Sequence, residues 1–136
     1  MNLHQILLKW PGNVWLAMLF LFLCASDLSS SPTPDKRVTI SSPFKIEVYT
    51  MIFCGHCKAV KTALEEHNIE YLEHSLVWKS NAHHDMLART GGVDGAPQIF
   101  INNYHVGSRS DFEKEMRGLL PKIARGDTIT LTVKSE

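Results

Sequence analysis

The chain has 136 residues, of which 44% are hydrophobic and 21% charged, with 14 basic against 14 acidic side chains. That length fits one small globular domain with an ordinary core, and a second enzymatic domain is not expected within it. With no net charge and its Lys and Arg scattered, the chain has no overall field to draw it to nucleic acid or anionic surfaces, so substrate choice falls to a local site.

Residues 14–23, VWLAMLFLFL, follow Lys9 and precede Cys24-Ala25-Ser26. This is the charged, apolar, small-residue order of a secretory signal, with cleavage expected after Ser26. The alternative is an uncleaved membrane anchor over residues 6–25, although Lys9, Pro11, Gly12 and Asn13 interrupt it before a span of ~20 residues is reached. Residues 1–26 are therefore assigned to a signal peptide or N-terminal anchor, which predicts an exported protein of the periplasm or the secretory-pathway lumen. Residues 27–43, DLSSSPTPDKRVTISSP, read as a Ser/Pro-rich linker.

The folded domain is predicted over residues 44–125. Residues 44–50, FKIEVYT, alternate as a strand, and a helix follows from about Cys57 to His67, with Val60, Ala63 and Leu64 at helical spacing. Residues 69–75 alternate as a second strand. Residues 81–90 read as a helix stopped by Gly91-Gly92, and residues 97–106 as a hairpin with a tight polar turn at Asn103. Ser110 is the predicted N-cap of a last helix, with Glu113 completing a capping box. The tail, residues 126–136, contains TITLTV, which alternates like a further strand without an evident partner. The order strand, helix, strand, helix, hairpin, helix makes this an α/β chain whose first two strands pair in parallel through a right-handed crossover.

Three cysteines are present, and removing or embedding the N-terminal segment leaves only Cys54 and Cys57, too few for a structural disulfide framework. Their run, Cys54-Gly55-His56-Cys57, opens the first helix. A sulfur there meets free N–H groups and the positive end of the helix dipole, which favour the thiolate. Cys54 is then the exposed nucleophile and Cys57 the resolving thiol of a dithiol exchange cycle. His56, when protonated, would stabilise the Cys54 thiolate and make the disulfide more oxidising. The competing reading is half a zinc site completed by His83 and His84, but no second Cys-x-x-Cys exists and those histidines lack ligand spacing, so no metal is expected.

Several separated pieces resemble the glutaredoxin family: VYT before the cysteine pair, then GAPQIFINNYHVG, then SRSDF, in the family's order. The resemblance covers nearly all of residues 44–125. It implies a thioredoxin-like three-layer sandwich, a mixed four-stranded sheet flanked by helices, and a thiol-disulfide oxidoreductase with glutathione as co-substrate. It further implies a cis bond at Pro97, pairing of the Ala96 backbone with the cysteinyl part of glutathione, and reception of the γ-glutamyl end at Ser110 and Asp111. The expected partners are glutathione and disulfide-containing or glutathionylated proteins.

Several positions depart from the family pattern, among them Ala96 and the glycine-rich loop Gly91 to Gly95 before Pro97. The Gly-His between the cysteines resembles protein disulfide isomerase sites, Met51 stands where a basic residue is usual, and Ser108 replaces a glycine. Lys45, Lys79 and Arg109 are the cations available to compensate. Two other functions stay open at this stage: a glutathione-independent exchanger of thioredoxin or isomerase type, and a metal or iron-sulfur module using Cys54.

Overall fold

The computed structural model describes residues 35–77 and 80–135. The predicted signal or anchor, Cys24, the first part of the predicted linker and Lys79 lie outside the described residues. Among the described residues no helix is long and apolar enough to cross a membrane.

Among the described residues, six strands and four α-helical stretches follow one another: β1 (Lys36–Ile40), β2 (Ile46–Thr50), α1 (Gly55–Glu66), β3 (Leu72–Ser75), α2 (Asn81–Arg89), β4 (Gln98–Ile101), β5 (Tyr104–Gly107), α3 (Arg109–Asp111), α4 (Leu120–Arg125) and β6 (Ile129–Val133). β3, β2, β4 and β5 form a mixed sheet in that order. β2 runs parallel to β3, as the crossover through α1 requires, and the other two pairings are antiparallel.

All five residues of β2 are buried, because both faces of the sheet are covered. Ile46 and Val48 join Val60, Ala63 and Leu64 of α1 and Ile99 and Ile101 of β4 in the larger core. The alternate positions turn the other way, where Tyr49 and Phe100 pack with Met86 of α2. This is the three-layer arrangement implied by the resemblance.

Local chemistry explains the joints. Asn68, at φ 54, ends the first crossover helix, and Asn102 and Asn103 both take positive φ, the requirement of a two-residue hairpin turn that follows the twist of its strands. The stretch between α3 and α4 is irregular, passing through a π turn at Phe112–Met116 and a 3-10 turn at Arg117–Leu119. Pro121 has no N–H to give the Arg117 carbonyl and its ring crowds that carbonyl, so a regular α-helix cannot run through it.

Two expectations are corrected here. β1 falls inside the stretch predicted as linker, and it pairs antiparallel with β6, the tail strand that lacked a partner. Val38 and Ile40 on one side, with Ile129, Leu131 and Val133 on the other, are buried in the main core, and that apolar row outweighs the Ser and Pro content around it. The last helical segment is capped at Ser108 and not at Ser110. Ser108 N–H and its hydroxyl both donate to Asp111 Oδ2, at 2.9 and 3.0 Å, whereas Glu113 is engaged by Arg117 at 2.8 Å.

Candidate functional site

β2 ends at Thr50, and the chain turns through Met51, Ile52 and Phe53 before α1 begins. Phe53 takes φ 57, which throws its ring fully into solvent, and Met51 and Ile52 are also exposed. Cys54 is the N-cap of α1, with extended backbone, and its Sγ accepts the Cys57 N–H at 3.1 Å. The two cysteines are joined as a disulfide, with their Cα atoms 5.2 Å apart. Cys54 is half-buried, while Cys57 is only 2% exposed one turn into the helix. Attack from outside therefore has one accessible sulfur, and Cys57 is placed to answer it from within.

Across from the disulfide, Cys54 Sγ lies 3.9 Å from the Ala96 carbonyl oxygen, just before the cis Ala96–Pro97 bond that leads into β4. On the α1 side, a cleft of about 380 Å³ runs past Cys54, Cys57, Lys58, Lys61 and Glu73. Lys61 Nζ is 2.9 Å from Glu73 Oε1, and the Thr50 hydroxyl donates to the same oxygen at 2.7 Å. These hydrogen bonds hold the Glu73 carboxyl below its usual range.

His56 meets the first residue of α3, where Arg109 Nη1 donates to its Nδ1 at 2.8 Å. A guanidinium has no acceptor, so in this contact the lone pair of His56 Nδ1 is the acceptor. Sequence reasoning treated His56 and Arg109 as separate features; they lie 53 positions apart and no local signal joins them.

Of the remaining predicted residues, Asp111 lines a second cleft, of about 480 Å³, together with Thr90, Gln98, Gly107 and Ser108 among others. Gly107, at φ 126, has to be glycine, since a Cβ there would collide with the Asp111 carboxylate. Burial raises the Asp111 carboxyl, but hydrogen bonds from Lys134 and Ser108 outweigh it and the net shift is downward. Ser110 is exposed at the rim, its hydroxyl 2.9 Å from that of Ser108.

Of the cations named from sequence, Lys45 is 3.2 Å from Glu47 at the far end of β2, and Arg109 is the one that stands beside the cysteine loop through His56. Among the described residues, no cluster of His, Cys, Asp and Glu has the arrangement of a metal site. His83 is turned to Asp94, with Nε2 3.1 Å from its carboxylate.

Comparisons with known proteins agree with this geometry. The sequence model of the glutaredoxin family matches residues 46–106. The chain is 34% identical to a probable glutaredoxin of Synechocystis over 67 residues, 49% of this chain and 76% of that protein. It is likewise 34% identical to glutaredoxin 1 of Rickettsia felis over 83 residues, 60% of this chain and 81% of that one. A crystal structure of a mutated buckwheat glutaredoxin superposes with a TM-score of 0.50 over 85% of this chain and 94% of that chain, at 21% identity, which is likeness of fold. With a disulfide across a Cys-x-x-Cys at the head of α1 and these relatives, the chain belongs to the glutaredoxin family of thiol-disulfide oxidoreductases.

Proposed function

We propose that the protein is an exported glutaredoxin that passes electrons from glutathione to disulfides through a dithiol cycle, with Cys54 as nucleophile and Cys57 as resolving thiol. The observation that carries this reading is the pairing of an accessible Cys54 Sγ, capping α1 and accepting the Cys57 N–H, with a buried Cys57. In the reduced enzyme the Cys54 thiolate attacks one sulfur of a substrate disulfide, and the other sulfur leaves as a thiolate. The Cys57 thiolate then attacks Cys54 Sγ, expels the second substrate thiolate and closes the disulfide found in this structure. Two glutathione thiols return the two electrons and leave as glutathione disulfide.

Glutathione would lie between the two clefts, its cysteinyl part against the Ala96 backbone beside Pro97 and its γ-glutamyl ammonium toward Asp111, with Ser110 at the rim. The Ala96 carbonyl is the backbone group nearest Cys54, and Asp111 is a carboxylate held by Ser108, which is the chemistry such a ligand needs. The signal or anchor assigned to residues 1–26 supports work in the periplasm or the secretory lumen, where oxidation and reshuffling run alongside reduction. His56, between the two cysteines, is the group that would tune the Cys54 thiolate, and Cys-Gly-His-Cys resembles the active sites of disulfide isomerases.

A second reading, a glutathione-independent exchanger acting on proteins, is favoured by one feature: the exposed Met51-Ile52-Phe53 turn offers apolar contact where a glutathione site would gain from charge. The test is turnover of a small glutathionylated disulfide by the purified protein with glutathione, glutathione reductase and NADPH, with Cys54→Ser as control. Cys54-dependent turnover supports the glutathione cycle. Absence of turnover, with insulin disulfides still reduced when dithiothreitol is supplied, moves the protein to the second reading.

A further inference from the structure

β6 lies beyond residues 46–106, the part matched by the family, and its end reaches the cleft that holds Asp111. Just past Val133 the chain is tied to β5, where Lys134 N–H donates to the His105 carbonyl at 2.7 Å. From there the Lys134 side chain spans the cleft. Its Nζ is 3.0 Å from Asp111 Oδ1 and 3.6 Å from Asp35 Oδ2, the latter next to β1.

The two oxygens of Asp111 are thus divided. Oδ2 takes the N–H and the hydroxyl of Ser108, and Oδ1 takes the Lys134 ammonium. Any ligand ammonium that seeks this carboxylate meets a cation already seated on it. Lys134 is covalently attached a few ångströms away, so it competes at the high effective concentration of an intramolecular partner. Exchanging one ammonium for another gains little in Coulomb energy, and the displaced lysine keeps only Asp35.

We propose that Lys134 sets substrate specificity by occupying the Asp111 carboxylate in place of the γ-glutamyl ammonium, so that glutathione must displace it to bind. The inference rests on the glutathione reading above. Protein disulfides have no γ-glutamyl ammonium to place on Asp111, so the lysine weakens glutathione alone. The β1–β6 pair is what delivers it.

The experiment compares the full chain with Lys134→Met, which keeps most of the apolar stem, Lys134→Gln as a second neutral variant, and Lys134→Arg, which keeps the charge. Glutathione KM and kcat are measured in the coupled assay, and dithiothreitol-driven insulin reduction serves as the glutathione-free readout. The neutral variants are expected to lower glutathione KM about fivefold, the size of one partly exposed ion pair, with kcat and insulin reduction unchanged and Lys134→Arg like the parent. An unchanged KM overturns the role of Lys134 while leaving the glutathione reading intact. A raised KM overturns it too and makes Lys134 a binding residue. If no form turns over glutathione while all reduce insulin, the glutathione reading itself falls and this inference with it.

Discussion

Arg109 Nη1 lies 2.8 Å from Nδ1 of His56, and this contact ties the histidine between the two cysteines to the start of α3. The guanidinium can only donate, so Nδ1 keeps its lone pair. An imidazolium supporting the Cys54 thiolate would have to break this bond and stand beside a cation. Arg109 therefore limits what His56 can do for the thiolate, and their effects on the reduction potential are coupled.

The coupling is measurable in a double-mutant cycle with His56→Ala and Arg109→Ala. Groups in direct contact are expected to depart from additivity by about 1 kcal/mol, or roughly 20 mV for this two-electron couple. Potentials that add within error would show that the two side chains act independently.

On the opposite face of the sheet, Glu47 is buried and receives Arg89 at 3.2 and 3.3 Å, His74 at 3.0 Å and Lys45 at 3.2 Å. Burial pushes its carboxyl upward, but the hydrogen bonds from Arg89, His74 and Lys45 outweigh that and hold it at about 2, from an ordinary value of 4.5. A depressed carboxyl stabilises the fold fully above pH 4.5, and the contribution is lost as pH falls from 4.5 toward 2. Glu47→Gln should cost roughly 3 kcal/mol at neutral pH, with the gap to the parent closing across that window in urea titrations. A gap independent of pH would refute the ionised cluster.

Leu131, in β6, is buried against the core next to Val38 of β1. Leu131→Ala should destabilise by about 3 kcal/mol in denaturant titration. Thr130→Ala, whose side chain is exposed and hydrogen-bonded to the Thr39 hydroxyl on the facing strand, should cost at most about 0.5 kcal/mol. Equal effects would mean that the β1–β6 pair is not part of the folded core.

Much of the domain could be read from local pattern. β2, α1, α2 and the β4–β5 hairpin have clear periodicity, with Asn and Gly at the positions that need positive φ, and the cysteines announce themselves by spacing and by the helix that follows. What escaped is non-local. β6 shows its alternation but not its partner, β1 is hidden in Ser- and Pro-rich sequence, and Thr39 meets Thr130 across 91 positions. Glu47 resembles the polar half of an alternating strand until Arg89 arrives from α2 to bury it. The Arg109–His56 bond and the Lys134–Asp111 pair likewise depend on where β5 and β6 end, which only the folded chain reveals.

The Met51-Ile52-Phe53 turn makes a prediction about protein substrates. Phe53 has no core contact to lose, and asparagine tolerates its left-handed backbone, so Phe53→Asn should leave stability within about 0.5 kcal/mol. If the ring docks polypeptide beside Cys54, the same change should slow insulin reduction about fivefold and spare small disulfides. Equal losses on both substrates would place Phe53 in the geometry of the cysteine loop and not in docking.

The central claim, that Cys54 attacks and Cys57 resolves, is tested most directly by trapping the intermediate. Cys57→Ser protein is incubated with glutathione disulfide and its intact mass and the modified peptide are determined, with Cys54→Ser treated in parallel. The geometry predicts one glutathionyl group on Cys54 in the first variant, stable because no resolving thiol remains, and far slower reaction of the buried Cys57 in the second. Equal or faster labelling of Cys57, or no adduct on Cys54, would contradict the assignment.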